Sequence, residues 1–229
     1  MKSELPETAR HEVKFVAPGI LRRQLERWVG TNPAGFRSPY PPRWVNNIYF
    51  DSFQLFAYEE NLSGVSARSK VRLRWYGRTA RPDSCVLEIK RKRSLLGWKL
   101  NYPIASIACD EGSWRELLHR LRGQLAEPAR LWLDANPQPV LINRYYRRYF
   151  VSLDGKVRLT LDDQQSVFDQ RLTTRPNLTR SSNLPDTVVV EFKFAPADRA
   201  LGSRAIQGIP IRLSRNSKYV IGVQSLFLR

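Results

Sequence analysis

Cysteine, histidine and methionine are scarce: two Cys, two His and one Met in 229 residues. Cys85 and Cys109 supply neither a disulfide framework nor metal-ligand spacing, which suits a reducing compartment. No run approaches the roughly 18 apolar residues that a spanning helix needs. The opening Met1-Lys2-Ser3-Glu4-Leu5-Pro6-Glu7 has no apolar stretch behind its charge, so no secretory signal is read and the expected setting is cytoplasmic. Acid is also short. Asp plus Glu number 21 against 38 Lys plus Arg, a formal charge of +17. Yet 42% of residues are hydrophobic and 26% charged, ordinary for a globular chain, which excludes a disordered basic tail. Such a chain asks for an anionic partner: nucleic acid, a membrane surface or a polyphosphate-type molecule.

The length fits one large domain, or two small ones at most. Residues 10–16 alternate polar and apolar as a strand does. Pro18-Gly19 opens a helical stretch to Val29, stopped by Gly30, and 31–42 reads as a loop. Val45–Phe50 is a strand, and Asp51-Ser52 can cap a short helix over Phe53–Asn61. Residues 67–76 and 85–92 are strand-like, and Asp110–Arg122 is an amphipathic helix ending at Gly123. A further helix is expected over Pro128–Asn136, then strands at 139–152, 156–163 and 187–194, with a turn at Asp154-Gly155. Arg171–Pro185 reads as a polar loop, and Ser217–Leu228 as a final helix packed on the outside. Without regular β-α alternation, the fold class is α+β: an antiparallel sheet or barrel with helices outside it.

The strands carry the functional signal, because side chains two apart share a face. Arg68, Lys70, Arg72 and Arg74 lie opposite Val71, Leu73 and Trp75. Glu88, Lys90 and Lys92 lie opposite Leu87 and Ile89. Arg10, Glu12 and Lys14 oppose Val13 and Phe15; Arg158, Thr160 and Asp162 oppose Leu159 and Leu161; Glu191 and Lys193 oppose Val190, Phe192 and Phe194. Arg147 sits among tyrosines 145, 146 and 149. One such strand is a half-exposed sheet. Five with the same bias differ, because a face shaped only for solubility would mix signs. The charged faces then line the inside of a barrel, which must be wet and filled by an anion. Phosphate chains suit it, since Arg and Lys hold phosphate oxygens by charge-assisted hydrogen bonds.

Glu12, Glu88 and Glu191 share these basic faces. They would repel phosphate unless a divalent metal sits between, and oxygen donors completed by phosphate suit Mg²⁺ or Mn²⁺. The plainer alternative is that they pair with neighbouring Arg and Lys. Glu191, beside apolar Val188-Val189-Val190, is the stronger metal candidate.

In order along the chain, Arg10-His-Glu-Val-Lys-Phe15, Asn47-Ile-Tyr-Phe-Asp-Ser52, Arg68 to Tyr76, Leu87-Glu-Ile-Lys-Arg-Lys92, Tyr146-Arg147, Val157 to Asp162, Val190-Glu-Phe-Lys193 and Ser217-Lys-Tyr219 resemble the VTC (vacuolar transporter chaperone) domain of polyphosphate polymerases. That domain belongs to the CYTH-like triphosphate tunnel metalloenzyme superfamily. The resemblance implies one domain over 1–229, an eight-stranded antiparallel β-barrel tunnel with helices packed outside. It implies Lys14, Arg72, Arg74, Lys90, Arg147 and Arg158 as catalytic phosphate-gripping residues. Arg10, Arg68, Lys70, Lys92, Lys99, Lys193 and Lys218 would bind substrate, and Glu191, with Glu88 and Glu12, would hold Mn²⁺ or Mg²⁺. Two positions depart from the pattern. Arg10 replaces the first acid of the Glu-x-Glu-x-Lys opening of the CYTH branch, which favours polymerase over simple triphosphatase chemistry. Asn61 stands where a basic residue is common.

The expected activity is transfer of the γ-phosphoryl group of ATP to a growing polyphosphate chain. Ionised phosphate oxygens need no dedicated base, so His11 and His119 are read as a strand-edge and a helix-surface residue. Arg91, Arg93, Lys99 and Arg171 could steer polymer to the mouth or be solvated surface. ATP and inorganic polyphosphate are the expected partners, with room for a membrane-protein partner at the inner face of a membrane. The alternatives are a tripolyphosphate or nucleoside triphosphate hydrolase of the same fold, a non-catalytic polyphosphate-binding module, or a nucleic-acid-binding protein. The last is disfavoured because Phe15, Trp75, Phe192 and Phe194 fall on the apolar faces, away from bases they could stack.

Overall fold

The computed structural model describes residues 5–182, 184–214 and 216–227. The N-terminal reading at Met1–Glu4 and the helix end at Leu228 lie outside the described residues. Chain order is β1 (Arg10–Pro18), α1 (Arg22–Gly30), β2 (Arg43–Asp51), α2 (Phe56–Leu62), β3 (Ala67–Tyr76), β4 (Ser84–Arg93), β5 (Leu96–Ala105), α3 (Trp114–Gln124), α4 (Ala129–Ala135), β6 (Gln138–Val151), β7 (Arg158–Asp169), β8 (Ser181–Ser182), β9 (Thr187–Phe194), α5 (Arg199–Ile206) and α6 (Lys218–Phe227).

Eight strands close into a ring, β6-β2-β3-β4-β5-β1-β9-β7 and back to β6, all antiparallel, with β8 added outside the ring on β7. This is the closed barrel that the alternating faces imply. Its narrowest seam joins β5 to β1 at Arg10↔Gly97 and His11↔Leu96. β5 was not read from the sequence. Leu96, Trp98, Leu100, Tyr102 and Ile104 alternate properly, but Gly97 and Pro103 interrupt the pattern. Pro103 lies beyond the two-residue β1 seam, where β5 is paired with β4 alone, an edge position of the kind that accepts proline.

The barrel is turned inside out relative to an ordinary core. Outward-facing Ile48, Phe50, Val71, Leu73, Leu87 and Ile89 pack beneath Trp114, Leu117 and Leu121 of α3 and Leu133 of α4. On the far side Phe15, Leu159, Leu161, Val190 and Phe192 pack against Leu25 and Val29 of α1 and Ala205 of α5. Each fully buried Leu of these layers contributes roughly 1.5–3 kcal/mol. Hydrophobic stabilisation thus lies between barrel and helices, leaving the lumen free for charge.

Helix starts shift where caps decide them. α3 begins at Trp114, later than Asp110, because Ser113 and Glu116 form a reciprocal capping box. α2 begins at Phe56, since Leu55 takes a left-handed φ of 58°. Asp51 still serves its first turn, accepting from Ala57 N at 2.9 Å and Tyr58 N at 3.0 Å.

The last helix corrects the expectation of an outer position. Tyr219 of α6 stacks on Tyr49 (centroids 5.0 Å apart) and donates to Asp51, and Gly222 lies against Leu141 and Val167. Tyr49, Asp51, Leu141 and Val167 lie on the inner face of β2, β6 and β7 by register. α6 therefore crosses one end of the barrel. α5 falls where no element is read from the sequence, and β8 is a two-residue pairing with Val167 and Phe168 inside Arg171–Pro185, the stretch read as a polar loop.

A register shift between Arg144 and Tyr146 on β6, facing a left-handed Gln164 (φ 50°) on β7, breaks the alternation of β7. Before it, Asp162 points in. Its neighbour Asp163 points out and binds Arg22 of α1 at 2.7 Å and Arg148 at 3.0 Å, tying that helix to the barrel.

Candidate functional site

Strand period two delivers the basic residues to one lumen. Lys14 of β1, Lys70, Arg72 and Arg74 of β3, Lys90 of β4, Lys99 of β5, Arg147 of β6, Lys193 of β9 and Lys218 of α6 line a cavity that opens to solvent, together with Tyr49, Tyr145, Ser217 and Glu191. Nine basic side chains meet four carboxylates, Glu12, Glu88, Asp162 and Glu191, so positive charge is in excess.

The carboxylates organise the cations into groups. Glu88 accepts from Arg72 Nε at 2.6 Å and from Lys99 Nζ at 2.8 Å, with Arg74 at 3.4 Å. Arg74 is further held by Asn47 Oδ1 at 2.8 Å, whose amide donates to Asn143 at 2.7 Å. Arg72 also donates to Tyr49 Oη at 3.1 Å. On the opposite wall Asp162 accepts twice from Arg147, at 2.5 and 2.7 Å, and from Lys218 at 2.6 Å. Glu12 pairs with Lys90 at 2.6 Å. Lys193 bridges Glu12 (3.7 Å) and Glu191 (3.4 Å), and Glu191 also faces Lys14 (3.5 Å) and Arg147 (3.8 Å).

Electrostatics follow from these pairings. Burial works against every charge here, but Arg72, Arg74 and Lys99 outweigh it at Glu88 and hold that carboxyl far below its ordinary range. Lys193, Lys14 and Lys90 do the same for Glu191. At Asp162 Arg147 and then Lys218 overcome burial, leaving the pKa at about 2. Lys70 and Lys99 go the other way: burial, then neighbouring cations, push both well down. Burial also lowers Lys90, to about 8, although Glu12 opposes the shift.

Of the expected catalytic residues, Lys14, Arg72, Arg74, Lys90 and Arg147 line the cavity. Arg158 does not. It is exposed at the start of β7, and it lies close enough to half-buried Arg10 to lower that residue's pKa after burial. Both belong to the mouth. Among the expected substrate ligands, Lys70, Lys99, Lys193 and Lys218 line the cavity. Arg68 instead donates to Asn61 Oδ1 at 3.0 Å, so the two residues of interest at that corner bind each other. Lys92 lies opposite Arg68 in register. Arg91 stacks over Trp98 and Trp132 on the helix side, and Arg171 pairs with Asp169 at 2.9 Å and packs on Phe227, which removes both from the lumen. His11 rests against Phe194, and His119 is exposed.

Several participants were not singled out from the sequence. Asp162 was placed on the right face but given no role. Tyr49, Tyr145 and the Asn47–Asn143 pair share the same period-two signal and could have been found by it. Ser217 could not, since it reaches the lumen only through the turn into α6.

For a divalent ion the donor chemistry fits in part. Among the described residues no cluster of three His, Cys, Asp or Glu could cage one. Glu12 and Glu191, however, share Lys193 and sit diagonally on adjacent strands, so two hard oxygen donors lie together with room for phosphate oxygens to complete a shell.

A family model of the VTC domain matches residues 11–227. No curated protein matches the chain. Two solved structures are similar over most of their length. A candidate adenylate cyclase from Vibrio parahaemolyticus has a TM-score of 0.49 at 12% identity, covering 92% of this chain and 97% of that one. A protein of Pyrococcus horikoshii OT3 has a TM-score of 0.44 at 16% identity, covering 96% of this chain and 98% of that one.

Proposed function

The chain belongs to the VTC domain family, and on that premise we propose that it is a polyphosphate polymerase, moving the γ-phosphoryl group of ATP onto the end of an inorganic polyphosphate chain inside the lumen. The observation that carries this reading is the excess of cations lining the lumen, above all half-buried Lys70, which hydrogen-bonds the Ser217 hydroxyl and has Lys90, Lys14, Arg68 and Arg72 as its main charged neighbours. A polyanion compensates such a lumen, and a neutral or cationic substrate does not.

Arg72 and Arg74, fixed by Glu88 and Asn47, orient the triphosphate. Arg147, fixed by Asp162 and two strands round the ring from them, neutralises charge spreading on the transferred oxygens. A terminal oxygen of the polymer attacks the γ-phosphorus, the bond to the β,γ-bridging oxygen breaks, and ADP departs. The attacking oxygen is already ionised, so no side chain must take a proton. Glu191 with Glu12 would hold Mg²⁺ or Mn²⁺, which when bound supplies charge neutralisation to the phosphate oxygens. Glu88, enclosed by three cations, serves in this reading as their anchor.

Incubation with ATP and Mn²⁺ or Mg²⁺, with products resolved by gel, tests it. Long anionic polymer and ADP are expected, whereas inorganic phosphate without polymer assigns hydrolysis instead. Arg72→Ala and Glu191→Gln should each abolish turnover while the protein stays folded. Full turnover in both variants refutes this site.

A further inference from the structure

The lumen face continues past its last phosphate-gripping residues into a group of aromatic side chains. Tyr76 lies two residues beyond Arg74 on β3 and Tyr149 two beyond Arg147 on β6, each roughly 6.6 Å farther along its strand. Register puts both on the inner face: Tyr76 opposes Val45, which also opposes cavity-lining Tyr145, and Tyr149 opposes Thr160. Arg43, opposite Arg147, lies 3.8 Å from the Tyr76 ring centroid, 5.1 Å from that of Tyr149 and 5.8 Å from that of Tyr40. Its Nε donates to Tyr149 Oη at 3.2 Å, and Tyr40 meets Tyr149 edge-on at 5.3 Å. The guanidinium of Arg147 in the lumen lies 5.8 Å from the same Tyr149 ring, so that ring stands between lumen and rim.

We propose that Tyr40, Tyr76, Tyr149 and Arg43 form a base-stacking rim at the lumen mouth, which holds the nucleobase of the nucleoside triphosphate whose phosphates Arg74 and Arg147 grip. The proposal rests on the phosphate-binding reading of the lumen and extends it to a part of the substrate that the lumen does not contact. An inorganic phosphate chain has no flat apolar surface and gains nothing from tyrosine rings. A purine does, through stacking on tyrosine and on a planar guanidinium. Tyr40 (53% exposed) and Tyr76 (40%) keep open ring surface, unlike the buried lumen tyrosines Tyr49 and Tyr145. The rim lies one strand repeat from the phosphate grip, which suits one ligand that spans both.

Titration calorimetry of ATP and of inorganic tripolyphosphate against the wild-type protein, Tyr76→Ala, Tyr40→Ala and Arg43→Lys tests this. Arg43→Lys keeps the charge and removes the plane. Stacking of one base predicts that each variant loses about ten-fold in ATP affinity and keeps its tripolyphosphate affinity. Comparing the ratio of the two affinities between variant and wild type cancels the difference in ligand charge. Equal losses for both ligands, or no loss for ATP, overturn the rim while wild-type tripolyphosphate binding still supports the lumen. If the wild-type protein binds neither ligand, the lumen reading falls and takes the rim with it.

Discussion

Lys70 Nζ donates to Ser217 Oγ at 2.8 Å, and among the described residues it has no ion-pair partner. After burial, the groups that disfavour its charge are Lys90, Lys14, Arg68 and Arg72. A half-buried ammonium among other cations, with a hydroxyl as its hydrogen-bond partner, is a cost to the empty protein and an asset to one that holds a polyanion. Lys14, by contrast, pairs with Glu191 at 3.5 Å and also donates to Asn216 O at 3.1 Å, so the turn into α6 is tied to two lumen cations at once.

Lys70→Met should therefore stabilise the free protein and weaken it as a ligand trap. The expected gain is about 1–3 kcal/mol in urea unfolding at neutral pH, with tripolyphosphate affinity down by about ten-fold or more through loss of one charge-assisted bond. The sign with pH is definite. The unfolded side chain keeps its proton to roughly pH 10.4, while the folded one gives it up well below that. Between those values the unfolded state binds more protons, so stability rises with pH there. A variant as unstable as the wild type, with unchanged affinity, would deny Lys70 this role.

Lys90 sets a usable pH limit. Burial lowers its pKa to about 8, so above that pH its charge fades. Phosphate affinity should fall as pH rises through about 8, while the free protein gains stability up to roughly pH 10.4, where the unfolded lysine also loses its proton. Lys90→Arg keeps its charge and should make that fall shallower, leaving only the part due to the other lowered lysines, Lys70 and Lys99. Tripolyphosphate titrations at pH 7, 8 and 9 on both proteins read this directly. Parallel curves would remove Lys90 from the phosphate contacts.

The barrel was legible because its charged and apolar faces are separated by the strand period alone, as at Val71, Leu73 and Trp75 against Lys70, Arg72 and Arg74. Closure puts the charged side inward, and local spacing says nothing about closure; the bias repeated on five strands said it. What stayed hidden was non-local. β5 was masked by Gly97 and Pro103. The inner position of α6 rests on Tyr219 meeting Asp51 and Tyr49, over 160 residues away in the chain. Asp162 and outward Asp163 follow ordinary alternation, but the bulge just beyond them at Gln164, which brings Val167 instead of Ser166 to the inner face, is announced by no pattern of apolar residues. Arg158 shares its face with Asp162, yet its place at the end of β7 puts it at the mouth.

Metal should bind with the phosphates rather than before them. Glu191 is held by Lys193, Lys14 and Arg147, and Glu12 by Lys90 and Lys193, so an ion entering the free lumen must displace cations from both. Phosphate oxygens give those cations new partners and complete the ion's shell. Manganese titrations followed by electron paramagnetic resonance should show weak binding to the protein alone and strong binding once tripolyphosphate is added, beyond what tripolyphosphate binds by itself. Tight Mn²⁺ binding to the free protein, lost in Glu191→Gln, would point instead to a preformed site.

Asp162 is the anchor whose loss should cost most. It is fully buried and carries Arg147 and Lys218 together. Asp162→Asn keeps the shape and removes the charge, stranding two buried cations, with Glu191 3.8 Å from Arg147 as the nearest relief. Breaking one side of a buried ion pair costs about 3–5 kcal/mol, which urea unfolding at pH 7 would resolve. The pH dependence separates this from a packing defect. Burial opposes the charge, but Arg147 and Lys218 bring the folded pKa to about 2, below the roughly 3.9 of an unfolded aspartate. The stabilisation is complete above pH 4 and is lost as pH falls towards 2. Wild-type stability should fall across that window more steeply than that of Asp162→Asn. Equal slopes would mean that the carboxylate contributes no ion-pair energy, leaving Arg147 to be positioned by the lumen wall alone.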